Sequence, residues 1–305
     1  MIRKRINVLD HGYVEYVAHM GVDEDIVSAA RMSTGRGFVS WEAYKRCKNC
    51  DTVTVVFDAI SLHGPCVATL DRHDWQDFPR GDLGILEYMY KGKHFSPFEF
   101  CELHVEVQAP IMVFREFHRH RTFSYSEFSA RYSQMPNLHY VPALERVQAQ
   151  GKTNRQGSGE PWLEAQAASV IDHWKWEQDE VYKSYDEAVA EGMAKEVARL
   201  NTPVSRYSKM RAKTDLRNWL GFLNLRMRSN AQYEIRCFAQ AVAEIVKELW
   251  PRTYALFEEY DLYGVSLSRS EAKLLVDAAT RRGSEIEIDL RYDAPSLLSK
   301  LQAQP

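Results

Sequence analysis

FCELHVEVQAPIMVFREF (residues 100–117) changes period in the middle, and that change sets the fold class. From Phe100 to Pro110 apolar and polar residues alternate, the pattern of a half-buried strand. IMVFREF (111–117) reads instead as the start of a helix, with Pro110 well suited to its first position. Upstream, β-branched and aromatic residues in 1–20 predict one or two strands, and DEDIVSAARMS (23–33) a short helix with an acidic first turn. ILEYMYKGKH (85–94) predicts a helix ending near Gly92. Downstream, 136–161 is rich in Pro, Gly, Asn and Gln and reads as a loop of functional length. Helices are then expected over 169–192, 213–229 and 231–250, the last with a core stripe of Ile235, Phe238, Val242, Ile245 and Leu249. Strands early and helices late give an α+β class, with a mixed sheet and a helical C-terminal half. The expected organisation is a single domain over 1–305, with an excursion at 36–81 and an extension after about 262.

With 39 basic and 42 acidic residues the net charge is −3, which argues against a general nucleic-acid or membrane binder. The start MIRKRINVLDHGYVEYV lacks the apolar core of a secretory signal, and the most apolar run, TVTVVF (52–57), is strand-sized. Five cysteines, an odd count, fit reduced thiols and a cytoplasmic setting. Cys47-x-x-Cys50 with His63, Cys66 and His73 fits no standard zinc spacing, so no metal site is expected.

Directly after the helix start comes RHRTFSYSEFSAR (119–131). Arg115, His118, Arg119, His120, Arg121 and Arg131 repel one another unless an anion lies among them, and Glu116 and Glu127 balance only part of the charge. Arginine forks and the hydroxyls of Ser124, Ser126 and Ser129 suit a phosphate. Phe114, Phe117, Phe123, Tyr125, Phe128 and Tyr132 are threaded through the cations, which suits a half-buried pocket for a flat phosphorylated ligand. A solvated basic face or a nucleic-acid module are the other readings of the cluster.

The run resembles the RHR-x-x-S-x-N-x-x-S-x-R signature of flavin-dependent thymidylate synthases, with Ser126 in place of the usual asparagine. AARMS (29–33), HFSPFEF (94–100), EVAR (196–199) and FLNLRMRSNAQYEIR (222–236) resemble further blocks of that family, in order. The resemblance implies a mixed α/β fold and a homotetramer with shared active sites. It also implies methylation of dUMP at C5 with methylenetetrahydrofolate as carbon source, FAD as hydride carrier and NADPH as reductant. By position, Ser96, Arg119, His120, Arg121, Glu127, Asn224, Leu225, Arg226 and Asn230 are expected at FAD. Glu116, Phe117, His118, Arg119 and the run Glu127, Phe128, Ser129, Ala130, Arg131 are expected at the nucleotide, with Arg131 on its phosphate. His94 matches a family histidine near the flavin, whereas His104 reads as structural.

Arg236 matches the arginine that favours ionisation at N3, which makes C5 nucleophilic without an enzyme thiolate. Cys101 and Cys237 have no activating partner visible in the sequence and read as small buried hydrophobes. Ser129 lacks a His–Asp pattern and is assigned to phosphate or base. Arg226 and Asn230, four apart, fit one helical face, and Arg236 lies about 80° from Arg226 on an ideal helix. Lys209 stands where many members carry a nucleotide-binding arginine, and it cannot make the same bidentate contact. Arg206 and Arg211 are the candidates to compensate. Ser126 and Lys209 motivate an alternative activity, a methyl or hydroxymethyl transfer to C5 of another deoxypyrimidine nucleotide. No G-x-G-x-x-G occurs, so a Rossmann cradle is not supported.

Overall fold

The computed structural model describes residues 4–48, 53–55, 74–78, 80–152 and 157–280. The chain begins with strands β1 (Arg5–Val8) and β2 (Gly12–Met20) and helix α1 (Asp23–Arg31). Three short strands follow, β3 (Tyr44–Cys47), β4 (Val53–Val55) and β5 (Trp75–Phe78), then helix α2 (Leu83–Lys91). Next come β6 (Glu102–Pro110), α3 (Ile111–Phe117), β7 (Ser124–Glu127) and a β8 (Gln148–Gln150)–β9 (Ser158–Pro161) hairpin. Helices α4 (Glu164–Ala190) and α5 (Lys195–Ala198) lead to β10 (Tyr207–Asp215). The described chain finishes with α6 (Leu216–Arg226), α7 (Tyr233–Leu249), α8 (Pro251–Phe257) and α9 (Arg269–Thr280).

The main sheet has the order β1-β2-β6-β10-β7, and each adjacent pair is antiparallel. This corrects the expected mixed sheet. The β6–α3–β7 unit does return its second strand in the direction of the first. β10 lies between them, however, and runs against both. Its ladder with β6 is unbroken from Tyr207 opposite Pro110 to Asp215 opposite Glu102.

The alternation in 100–110 is realised in full. Leu103, Val105, Val107 and Ala109 are completely buried, while Glu102, His104, Glu106 and Gln108 occupy the other face. Onto the apolar face pack α6, through Trp219, Phe222 and Leu223, and α7, through Ile235, Phe238, Val242 and Ile245, with Leu249 at the margin of the core. Trp219 Nε1 donates to the Leu103 carbonyl at 3.1 Å, fixing α6 over the sheet. The opposite face is polar: Lys213 and Arg211 pair with Glu102 and Glu106 across the β6–β10 ladder.

Several boundaries differ from the sequence reading. Residues 213–215 end β10 instead of starting a helix, because Asp215 caps α6 by accepting from Asn218 N at 2.9 Å. Pro110 is the last strand residue and the N-cap of α3, one position before the expected place. α4 begins five residues earlier than expected, and it buries only Ala167, Ile171 and Tyr185. Trp174 and Trp176 on it are exposed. The loop at 136–161 contains the β8–β9 hairpin.

In the excursion, β3 pairs with β4 and β5 in a small second sheet. A buried polar knot joins it to the body: Arg31 on α1 donates to Asp82 and to the Tyr44 hydroxyl on β3. The Tyr44 hydroxyl donates to Asp82 at 3.0 Å, and Asp82 also accepts from Val39 N at 2.6 Å. Asp82 is fully buried and Arg31 nearly so. Of the residues in the zinc pattern, only Cys47 falls among those described; Cys50, His63, Cys66 and His73 lie outside them.

Removing one partner of such a pair strands a buried charge. Asp82→Ala is expected to destabilise the fold by about 3–5 kcal/mol, measured by urea unfolding. A change below about 1 kcal/mol would show that the knot is solvated in solution.

Candidate functional site

The basic cluster folds as the last turn of α3, a tight turn over 118–123, and the edge strand β7. Its aromatic residues divide. Phe114, Phe117 and Phe123 are core, and Phe117 stacks on Phe222 of α6 with ring centroids 4.9 Å apart. Phe128 and Tyr132 are exposed. Since the Phe117 side chain is sealed, any contact from this residue to a ligand must come from its backbone.

Three groupings of candidate residues result. In the first, Arg226 at the end of α6 reaches back to the cluster. It donates from Nη1 to Glu116 Oε2 at 2.6 Å, from Nη2 to the Glu116 carbonyl at 3.2 Å, and from Nε to His120 Nε2 at 3.1 Å. His120 is therefore held as a neutral acceptor. Burial, then the adjacent Arg226 charge, lowers its pKa from 6.5 to about 4. Arg115, Arg119 and Arg121 are exposed and have no ion pair among the described residues. His118 is exposed, edge-on to Tyr125.

The second grouping lies across β7 and β10. Ser208 Oγ donates to Glu127 Oε1 at 3.0 Å, and Phe128 N donates to the Lys209 carbonyl at 2.8 Å. Arg131 Nε pairs with Glu196 at 3.0 Å, both side chains about half exposed. Ser129 Oγ accepts from Arg131 N at 3.4 Å, and Ala130 is buried against Met135 and Tyr185. The register puts Glu127 opposite Met210 and Ser126 opposite Arg211. The Lys209, Arg211 and Ser126 side chains thus take the polar sheet face, whereas Glu127 and Ser208 take the other.

The third grouping surrounds a cavity of about 1230 Å³ lined by Asn230, Arg236, Asp10 and the β8–β9 hairpin. Arg236 Nη1 donates to the Ser229 carbonyl at 3.0 Å, and its guanidinium sits 5.8 Å from the Tyr233 ring centroid. Beside it, buried Glu234 accepts from Arg146 Nε at 2.8 Å and Gln232 Nε2 at 2.7 Å. Arg146 Nη1 also donates to Ser158 Oγ at 2.6 Å, so Glu234 anchors the hairpin that walls the Arg236 cavity. Burial raises the Glu234 pKa, but the hydrogen bonds from Arg146 and Gln232 outweigh it and the net shift is downward.

Arg226 and Asn230 do not share a helical face. α6 ends at Arg226 and α7 starts at Tyr233, so Asn230 lies in the intervening turn and Arg236 on a different helix. The angular offset expected on one continuous helix therefore has no meaning here. Asn224 Oδ1 accepts from Arg228 at 2.7 Å, and Leu225 is 62% exposed. Ser96, at the start of the 3₁₀ turn Ser96–Phe100, is exposed, and His94 stacks on Tyr88.

Sequence reading passes over Ser208, which fixes Glu127, and places Glu196 in the EVAR block without its pairing to Arg131. The alternation of Ser208, Met210, Ala212 and Thr214 is the available signal for the first. Burial pushes the Cys101 thiol up to about 12 and also raises Cys237, which disfavours the thiolate form of both. Among the described residues no group of three or more His, Cys, Asp or Glu is placed to hold a metal.

Fold and site together define a class: an α+β protein with unpaired arginines around an aromatic-edged site suited to an anionic, flat ligand. A family model described as thymidylate synthase complementing protein matches residues 15–252. The flavin-dependent thymidylate synthase of Ehrlichia ruminantium (strain Gardel) is 36% identical over 270 residues, covering 88% of this chain and 78% of that one. A Thermus thermophilus enzyme of the same name is 37% identical over 270 residues, covering 88% and 84%. A crystal structure of the UMP/dUMP methylase PolB from Streptomyces cacaoi with 5-Br dUMP superposes with a TM-score of 0.64 at 26% identity, covering 86% and 100%. The chain belongs to the flavin-dependent thymidylate synthase family.

The His120 environment has a pH signature. Its folded pKa lies below the ordinary value, so its contribution to stability is complete above about pH 6.5 and is lost as pH falls toward 4. Histidine proton NMR is expected to show His120 still neutral at about pH 5. His120→Asn is expected to flatten the fall in unfolding free energy between about pH 6.5 and 4. Titration of His120 at an ordinary value of about 6.5 would contradict the Arg226 contact.

Proposed function

We propose that this protein converts dUMP to dTMP by reductive methylation at C5, with methylenetetrahydrofolate as carbon source and NADPH as reductant. The observation that carries the reading is that the family match over 15–252 contains every candidate site residue, from Ser96 to Arg236. Arg119 and Arg121, exposed and unpaired among the described residues, fit the phosphates of a dinucleotide, and Arg226, fixed by Glu116 and by neutral His120, holds a further positive charge beside them. FAD bound there would supply the hydride carrier. Arg236 in its cavity is the residue to stabilise negative charge at N3 of the pyrimidine, which raises electron density at C5. Glu127, oriented by Ser208, and the run to Arg131 serve the nucleotide.

The Arg236 cavity is lined by none of the residues of the other two groupings, which supports sites completed between copies in a homotetramer. The whole of 1–305 is taken as one catalytic unit. Among the described residues no helix is long and apolar enough to cross a membrane. The PolB relative is a UMP/dUMP methylase, and Ser126 and Lys209 depart from the family pattern, so a second pyrimidine nucleotide is the competing substrate reading.

Purified protein is expected to show a flavin absorption spectrum and to oxidise NADPH faster with dUMP present. Mass spectrometry of reactions with dUMP, UMP and dCMP is expected to find a methyl gain on dUMP. Colourless protein that does not take up added FAD would overturn the reading, and a hydroxymethyl product or a gain on dCMP alone would favour the alternative.

A further inference from the structure

Arg206 is the anomaly of the site. It directly precedes β10, with its backbone in an isolated antiparallel bridge to His139. It is only 8% exposed. Its guanidinium makes no hydrogen bond or ion pair among the described residues, and its Nε is sealed from solvent with no partner. Buried arginines are ordinarily paired, because an unpaired charge in the interior forfeits its hydration and gains nothing in return. The other buried arginine of the body, Arg31, follows that rule through Asp82.

The surroundings sharpen the anomaly. Burial lowers the Arg206 pKa, Glu127 acts against that fall, and Arg199 adds to it; an arginine nevertheless stays charged. His139, itself buried, is pushed toward its neutral form by burial and by Arg206. Arg199 is half-buried, again with no side-chain ion pair among the described residues. Arg206 and Arg199 thus share this corner with Glu127, which lies beyond ion-pair range of Arg206 and already accepts from Ser208, and with Asp179, which acts on His139 and pairs with neither arginine. Among the described residues no anion contacts either guanidinium, a deficit that a dianion would fill.

The direction of the deficit follows from the sheet. Side chains at 206, 208 and 210 continue one alternation, and Ser208 and Met210 stand on the Glu127 side of β10. Lys209 and Arg211 take the opposite face, where Arg211 is paired with Glu106. Of the described cations near the departure at 209, only Arg206 is both on the Glu127 side and unpaired.

We propose that Arg206 is a phosphate-binding residue of the nucleotide site, its fork closing on the 5′-phosphate of the substrate beside the Glu127–Arg131 run. The assignment rests on the nucleotide reading above. It makes Arg206, and not Lys209 or Arg211, the source of the bidentate contact that a lysine at 209 cannot give.

The test uses full-length protein, FAD-loaded, titrated calorimetrically with dUMP, with deoxyuridine, which lacks the phosphate, and with FAD after its removal. Arg206→Met keeps the bulk and removes the charge. It is expected to weaken dUMP by about 10- to 100-fold while leaving deoxyuridine and FAD unchanged, with Arg206→Lys between it and the parent. Because it deletes an uncompensated buried charge, Arg206→Met is also expected to raise the Tm of ligand-free protein by about 2–4 °C. A purely structural arginine would instead lower Tm and weaken all three ligands together, and that result would overturn the proposal. So would unchanged dUMP affinity, loss of FAD in place of dUMP, or the same dUMP loss produced by Arg211→Ala. Parent protein that binds no dUMP would overturn the nucleotide reading and this inference with it. Parent protein that binds dUMP beside an unaffected Arg206→Met would overturn the inference alone.

Discussion

The antiparallel ladder between β6 and β10 is the constraint on which the rest of the molecule depends. Because β10 is inserted between β6 and β7, its register decides which side of the sheet each charged side chain occupies. A slip of one residue would exchange the faces, putting Ser208 and Met210 among Glu106 and Gln108 and turning Lys209 and Arg211 into the core. Leu103, Val105 and Val107, all completely buried against α6 and α7, make such a slip prohibitive. The apolar stripe of one strand thereby fixes the polar chemistry of its neighbours.

Two arginines show how differently the fold treats charge. Arg226 arrives from α6 and is fully engaged by Glu116 and His120, so a ligand there meets an organised network whose histidine is already neutral. Arg206 is more deeply packed, but its guanidinium is engaged by nothing among the described residues. The first arrangement orients donors; the second leaves a charge to be completed. Exposed Arg119 and Arg121 add a third kind, solvated cations at the rim. Burial raises the pKa of the Cys101 and Cys237 thiols, which supports the proposal that a cation, and not a thiolate, activates C5.

Much of this is legible in the sequence where one period dominates. The alternation at 100–110 and the stripe from Ile235 to Ile245 each lie on a single buried face, and the structure bears both out. β10 escapes notice because its inward set, Ser208, Met210, Ala212 and Thr214, is small or weakly apolar and is interrupted by lysines and arginines. Those cations sit on the uncovered sheet face, where charge costs little. A break between helices 213–229 and 231–250 is expected, but FLNLRMRSNAQYEIR has neither Gly nor Pro to show that it runs from 227 to 232, so Arg226 and Asn230 read as one helical face. The cations of 119–131 are evident, but their partners Ser208 and Glu196 are distant in sequence and become visible only in three dimensions.

Whether electrostatics, and not a thiolate, activates the pyrimidine is tested most directly by the rate of dTMP formation in two variants. These are Arg236→Gln and a Cys101→Ala/Cys237→Ala double variant, each confirmed folded and flavin-bound. Electrostatic activation predicts a loss on the order of 100-fold or more for Arg236→Gln and a rate close to the parent for the double variant. A folded double variant that forms no dTMP, or an Arg236→Gln protein as fast as the parent, would contradict it.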